Sequence, residues 1–183
     1  YGLTALDAIT TGDSNTAVGH SAGGDLTTAY NNTFMGRGAG GSTTTGGTNT
    51  FIGFEAGNSS TTGYRNTAVG DIAYDDGFTS EGDNTAMGSY GLDAITTGDH
   101  NTTIGYSAGT QVTTGYNNTF VGTNAGDDST TAYRCICIGS NSGTNAQDDN
   151  HAIAIGDDID SGTNNFSFGK TSNVVANDFS SNA

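Results

Sequence analysis

The chain has no proline and no tryptophan, only two cysteines, and four cations among 183 residues. Leucine, isoleucine, valine and phenylalanine together fill 28 positions. That is roughly 15%, below the ~20% at which a highly charged chain stops supporting an ordinary apolar core. A two-layer globule is excluded on that ground. Either the chain is disordered, or a regular device holds it together with few apolar residues per unit. The lack of proline, which disordered segments usually carry, favours order. The cations Arg37, Arg65, Arg134 and Lys170 face 19 acidic residues, for a net charge of −15. Nucleic-acid binding needs a basic footprint and is excluded. An anionic membrane surface would repel the chain, and no apolar run approaches the ~18 residues that span a bilayer, so no membrane insertion is expected in this segment. Threonine, glycine, asparagine and serine make up 96 residues.

Those polar residues are periodic. A motif Asn-Thr-x-apolar-Gly occurs at Asn15–Gly19, Asn32–Gly36, Asn49–Gly53, Asn66–Gly70, Asn84–Gly88, Asn101–Gly105 and Asn118–Gly122. Degenerate copies follow at Cys135–Gly139, Ala152–Gly156 and Asn165–Gly169. Successive motif glycines lie 17 residues apart, except for one step of 18 between Gly70 and Gly88 and a last step of 13. A Thr-Thr pair precedes most motifs, as at Thr10–Thr11, Thr27–Thr28 and Thr113–Thr114. Leu6–Asp13 recurs as Leu92–Asp99, five units on.

A 17-residue unit is too short for two helices and their loops. Alternation gives the motif strand two faces, glycine closes it at a sharp turn, and the Thr-Thr segment supplies a second short strand. The expected fold is therefore all-β, a parallel β-solenoid of about ten coils stacked at roughly 4.8 Å. Position four of the motif is always apolar and is expected to form the coil core: Val18, Met35, Ile52, Val69, Met87, Ile104, Val121, Ile138, Ile155 and Phe168. Position three, which includes Phe34, Phe51, Phe120 and Cys137, is then left on the other face. A row of exposed phenylalanines requires cover, so this face is expected to be the interface of a parallel homotrimer. Asn15, Asn32, Asn49, Asn66, Asn84, Asn101 and Asn118 are expected to form a ladder of side-chain amides from coil to coil.

The motif Asn-Thr-Ala-Val-Gly, and more so the run His151–Gly169, resembles the left-handed β-roll head repeats of trimeric autotransporter adhesins over roughly residues 2–170. The run Phe166–Phe179 is similar to the junction of phage tail fibres that precedes a self-cleaving intramolecular chaperone. These resemblances imply an extracellular trimeric fibre, on a virion or a cell surface, that contacts a host glycan or envelope component. They divide the chain into a solenoid shaft or head, 1–170, and a C-terminal extension, 171–183, leading to a missing or cleaved domain. A phage tail fibre is the first reading and a bacterial surface adhesin the second. A polysaccharide-degrading β-solenoid enzyme is the alternative of another class.

No catalytic constellation is expected. His20, His100 and His151 fall at different places in the unit and read as surface groups. A glycosidase would need two carboxylates across a cleft, and nothing marks such a pair. The acidic turns Asp75–Asp76, Asp127–Asp128, Asp148–Asp149 and Asp157–Asp158 with Asp160 are solvated charge or, alternatively, calcium ligands; no other cofactor is implied. Cys135 and Cys137 are two apart on one strand and cannot bond to each other without distortion. They are buried filler, interchain disulfides or, as a third reading, metal ligands. Tyr30, Tyr64, Tyr116 and Tyr133 share one position in the unit and are expected to line one corner, where they could stack on sugars or cap the core.

Overall fold

The computed structural model of the chain describes residues 1–75 and 82–178. Each motif forms one short strand: β1 Thr16–Val18, β2 Thr33–Met35, β3 Thr50–Ile52, β4 Thr67–Val69, β5 Thr85–Met87, β6 Thr102–Ile104, β7 Thr119–Val121 and β8 Ile136–Ile138. Then follow β9 Gly143–Thr144, β10 Ile153–Asp157, β11 Asp160–Ser161, β12 Asn165–Lys170 and β13 Asn173–Asp178. No helix occurs among the described residues. The eleven-stranded sheet runs β1 through β8, then β10, β12 and β13. All its pairings are parallel and in repeat register, Thr16 beside Thr33 beside Thr50, until β13 turns back antiparallel on β12. Ten parallel strands joined in this way make nine turns of a β-solenoid. Residues 173–178 of the segment read as an extension thus add the last strand; residues 179–183 lie outside the described residues.

The predicted second strand does not form. At the Thr-Thr segment three successive N–H groups, of Thr10, Thr11 and Gly12, converge on the single carbonyl of Thr27 at 3.0–3.2 Å. Thr96, Thr97 and Gly98 do the same to Thr113. Convergence on one acceptor bends the chain, where a ladder would need one acceptor for every second residue. Through β8 each described coil is one strand and a series of bends, and the two coils after it add the short parallel pair β9–β11. The threonines bond coil to coil instead: Oγ1 of Thr10, Thr27, Thr44, Thr96 and Thr113 each donates to the carbonyl 17 residues on, at 3.0–3.2 Å.

The strand faces are the reverse of the sequence expectation. Position three points into the coil: Phe34, Phe51, Phe120 and Cys137 are fully buried within the single chain, as are Ala68, Ala86 and Ala154. They cannot be the contact between chains. Position four points out. Val18, Met35, Met87, Ile104, Ile138 and Phe168 are 39–53% exposed, and Ile52, Val69, Val121 and Ile155 are half-buried. None of the ten belongs to the coil core.

Volume explains the choice. A column of alanines, Ala22, Ala39, Ala56, Ala73, Ala108 and Ala125, lines the buried wall three residues after six of the motif glycines. The next residue varies in size against position three. Where position three is Phe34, Phe51 or Phe120, the residue four after the motif glycine is Gly40, Gly57 or Gly126. Where it is Ala68 or Ala86, that residue is the buried Tyr74 or Leu92. In these five coils one large side chain from this pair of positions fills the interior, and Phe34, Phe51 and Tyr74 stack at 5.4 and 6.1 Å.

A Cβ at Gly57 would meet the Phe51 ring at 2.5 Å, in a backbone at φ 59. Gly57→Ala is expected to lower stability by about 2 kcal/mol through overpacking and Phe51→Ala by about 3–5 kcal/mol through the cavity. The double variant should lose less than the sum, because each change relieves the other. Urea denaturation of the four chains measures this; strict additivity would contradict the shared volume.

Candidate interaction face

The interior polar column is the asparagine ladder. Asn32, Asn49, Asn66, Asn84, Asn101 and Asn118 are buried at motif position one. Each Oδ1 from Asn15 to Asn118 accepts the backbone N–H of the position-one residue of the next coil at 2.8–3.1 Å, Cys135 last. The Nδ2 groups of Asn15, Asn32, Asn49, Asn84, Asn101 and Asn118 donate to a carbonyl 14 residues on, at 2.8–3.0 Å. Position one and position three share a face by alternation, so the ladder and the aromatic filling occupy the same interior.

With those groups inside, the outer face of the sheet carries positions two and four. Position two is threonine in β1 through β7 and position four is Val, Met, Ile or Phe throughout. No charged residue stands in either column. Eleven strands at about 4.8 Å make this face roughly 50 Å long. Contiguous apolar surface of that extent marks an interaction site on a soluble protein.

The columns bordering this face hold every basic side chain of the chain. On one side the residue before each motif takes the left-handed conformation, φ 56–61, as in Arg65, His100, Arg134 and His151. On the other side the residue after the motif glycine is His20, Arg37 or Lys170. All seven are exposed. Several are matched within their column. Arg65 makes a two-pronged pair with Asp83, at 2.7 and 2.8 Å. The hydrogen bond from Arg65 holds the Asp83 carboxyl below its usual range. Lys170 reaches Asp157 at 3.5 Å, and the Arg37 guanidinium lies 5.2 Å over the Phe54 ring. Arg134 instead faces another basic group, His151, at 3.4 Å.

The tyrosines form two separate pairs, one stacked and one tilted by 50°. Tyr116 and Tyr133 lie parallel at 4.9 Å, with His151 edge-on at 5.1 Å beyond. Tyr30 and Tyr64 meet at 6.4 Å across the intervening coil. In the Tyr116–Tyr133 pair the rings cover one face of each other, the surface a sugar would use.

Several predicted acidic turns act as staples. Asp149 accepts the N–H of Ala146 and both the N–H and hydroxyl of Thr163. Asp158 accepts the Thr171 hydroxyl at 2.7 Å. Burial, and then the nearby carboxylates, push the Asp127 and Asp160 carboxyls up. Asp76 lies outside the described residues. Among the described residues no three His, Cys, Asp or Glu side chains converge as metal ligands.

Cys135 and Cys137 are free and buried. Burial raises both thiols above their ordinary value. Cys135 replaces asparagine in the ladder column, its Sγ 3.2 Å from the Asp149 carbonyl. Cys137 sits inside the coil, so an interchain disulfide from it would need the coil to open.

The fold defines the class: a parallel β-solenoid whose turns stack through one continuous sheet. Comparison with family models, with characterised proteins and with solved structures finds no match to this chain.

The outer face was the feature sequence reasoning missed. The signal was present in the inverse sizes of Phe34 and Gly40 against Ala68 and Tyr74, which only an interior column requires.

Proposed function

We propose that this chain is a segment of an extracellular, trimeric attachment fibre, in which three parallel solenoids lean together along the outer face of the motif sheet. The observation that carries this reading is the uncharged, apolar strip that runs the length of the stack on an otherwise polyanionic rod. The face of roughly 50 by 10 Å presents on the order of 500 Å² per chain, and its bordering columns extend it toward the ~800 Å² per partner of a standard interface. At a net charge of −15, copies repel one another. Placing all the cations at the borders of the strip lowers that repulsion where chains would meet. The trimer of the sequence reading is kept, but its contact moves from Phe34, Phe51, Phe120 and Cys137 to the position-four column.

Within this reading the run Phe166–Phe179 favours a phage tail fibre, whose distal surface engages a host glycan or envelope component. The Asn-Thr-Ala-Val-Gly motif favours a bacterial surface adhesin. Sedimentation equilibrium of the chain in solution tests the shared core of both: three chains per particle are expected. One chain per particle at all accessible concentrations contradicts the assembly. Retention of the labelled trimer on bacterial cells tests attachment, and no retention on any strain would reduce the role to that of a shaft.

A further inference from the structure

The outer face is not uniform along the rod. From β1 to β7 it alternates a threonine with an apolar residue in each strand. At β8 the threonine column stops. Position two becomes Ile136, Ile153 and Phe166, in register on the same face as Ile138, Ile155 and Phe168. Beyond them β13 sets Val175, 63% exposed, directly opposite Phe168. Three stacked strands therefore show two apolar residues each, where the seven before them show one. None of these side chains is used by the coil interior, which Cys137, Ala154 and Ser167 fill.

Charge follows the same polarity. Arg134 and His151 border these strands at one side and face each other rather than a carboxylate. On the other border Lys170 and Asp157 are already paired. Among the described residues no carboxylate pairs with Arg134, and a second copy of this polyanionic chain can supply one.

We propose that copies of this chain lock together first, and most tightly, through β8, β10 and β12, and that the threonine-bearing coils then zip up toward β1. This rests on the homotrimer reading and adds where its affinity resides. Threonine at position two keeps the rest of the face wettable. It limits out-of-register pairing of a strip whose repeat would otherwise permit any shift of one coil. The non-repeating Ile-Ile-Phe block supplies the register that identical coils cannot.

The test is sedimentation of the full chain over a dilution series, beside three variants. Ile136→Thr/Ile153→Thr/Phe166→Thr gives the last strands the pattern of the first. Val18→Thr/Met35→Thr/Ile52→Thr removes the same number of apolar side chains from the other end. Thr16→Ile/Thr33→Ile/Thr50→Ile adds the block where it is missing. All nine positions lie on the outer face, and unchanged far-UV circular dichroism checks that the coils persist. The first variant is expected to raise the half-assembly concentration at least about a hundredfold and the second less than about tenfold, tenfold being about 1.4 kcal/mol. The third is expected to tighten assembly, with a fraction of particles out of register and longer than the wild type. Equal weakening by the first two, or greater weakening by the second, overturns the proposal while leaving the trimer intact. A wild-type chain that stays single at every dilution overturns the trimer itself and the proposal with it.

Discussion

A chain carrying Gly122→Ala is expected to lose its cooperative unfolding transition, or to show it weakened by about 4 kcal/mol or more, at the exceptional end for a single methyl group. Gly122 holds φ 140, and a Cβ there would land on the backbone carbonyl of Gly139 in the next coil. The other motif glycines from Gly19 to Gly156 stand in the same way, each against the backbone of the motif glycine that follows, at φ 130–146. Backbone cannot swing aside as a side chain can, and the coil spacing is fixed by the hydrogen bonds of the strands above and below. The alanine therefore either tilts the coil or breaks the pairing of β7 with β8. Gly24→Ala is the control. Gly24 has no positive φ, and its nearest neighbour atom would be 3.5 Å from the new Cβ. It should be neutral or stabilising by about 0.4–1 kcal/mol through the unfolded chain. Chemical denaturation followed by circular dichroism separates the two, and equal behaviour of Gly122 and Gly24 would refute the close stacking of the motif turn.

Asn101→Asp should be nearly as damaging at neutral pH and should recover in acid. Asn101 is fully buried. Its Nδ2 donates to Gly115 at 2.8 Å and to Asn84 Oδ1 at 3.1 Å, and its Oδ1 accepts from Asn118. A carboxylate keeps the acceptor and loses both donors, so the Gly115 carbonyl and Asn84 Oδ1 are left facing a negative oxygen. An uncompensated buried charge is destabilising by about 3–5 kcal/mol. Burial raises the folded-state pKa of the new carboxyl above the ~3.9 of the unfolded chain. The penalty is therefore complete above the folded pKa, shrinks as pH falls through it, and is gone below the unfolded value, where both states are protonated. The protonated acid restores one donor. Asn101→Ala removes the ladder rung without adding a charge and should be pH-independent, lower by about 1–3 kcal/mol for each buried group left unpaired. Stability curves of the two variants between neutral pH and pH 4 should converge; parallel curves would mean that the position is not buried as a polar rung.

The contrast between these sites and the outer face shows how far the sequence carried. The 17-residue period, the glycine that closes each motif and the asparagine that opens the first seven are local facts. A strand of period two, a turn needing positive φ and an amide able to bridge neighbouring coils follow from each residue's own chemistry, whatever surrounds it. The parallel β-solenoid was legible for that reason, and it continues in register through the degenerate copies after Gly122.

What the sequence left open was which side of the strand is inside. Alternation states that Thr16 and Val18 share one face and Asn15 and Ala17 the other, and nothing local says which encloses the core. Both faces carry apolar residues, so hydrophobicity favoured the wrong one. The choice is made across the coil, where Ala39 and Gly40 leave room for the Phe34 ring and where the Asn32 amide finds a carbonyl at Gly46. Those partners lie 5 to 14 residues from the strand and come together only when the coil closes. The Thr-Thr segment was likewise decided by closure, since β-branched residues favour a strand but three N–H groups meeting one carbonyl impose a bend. Composition and period determined that this chain stacks. The enclosed volume of a closed coil determined which residues it hides, and so which face it shows to its neighbours.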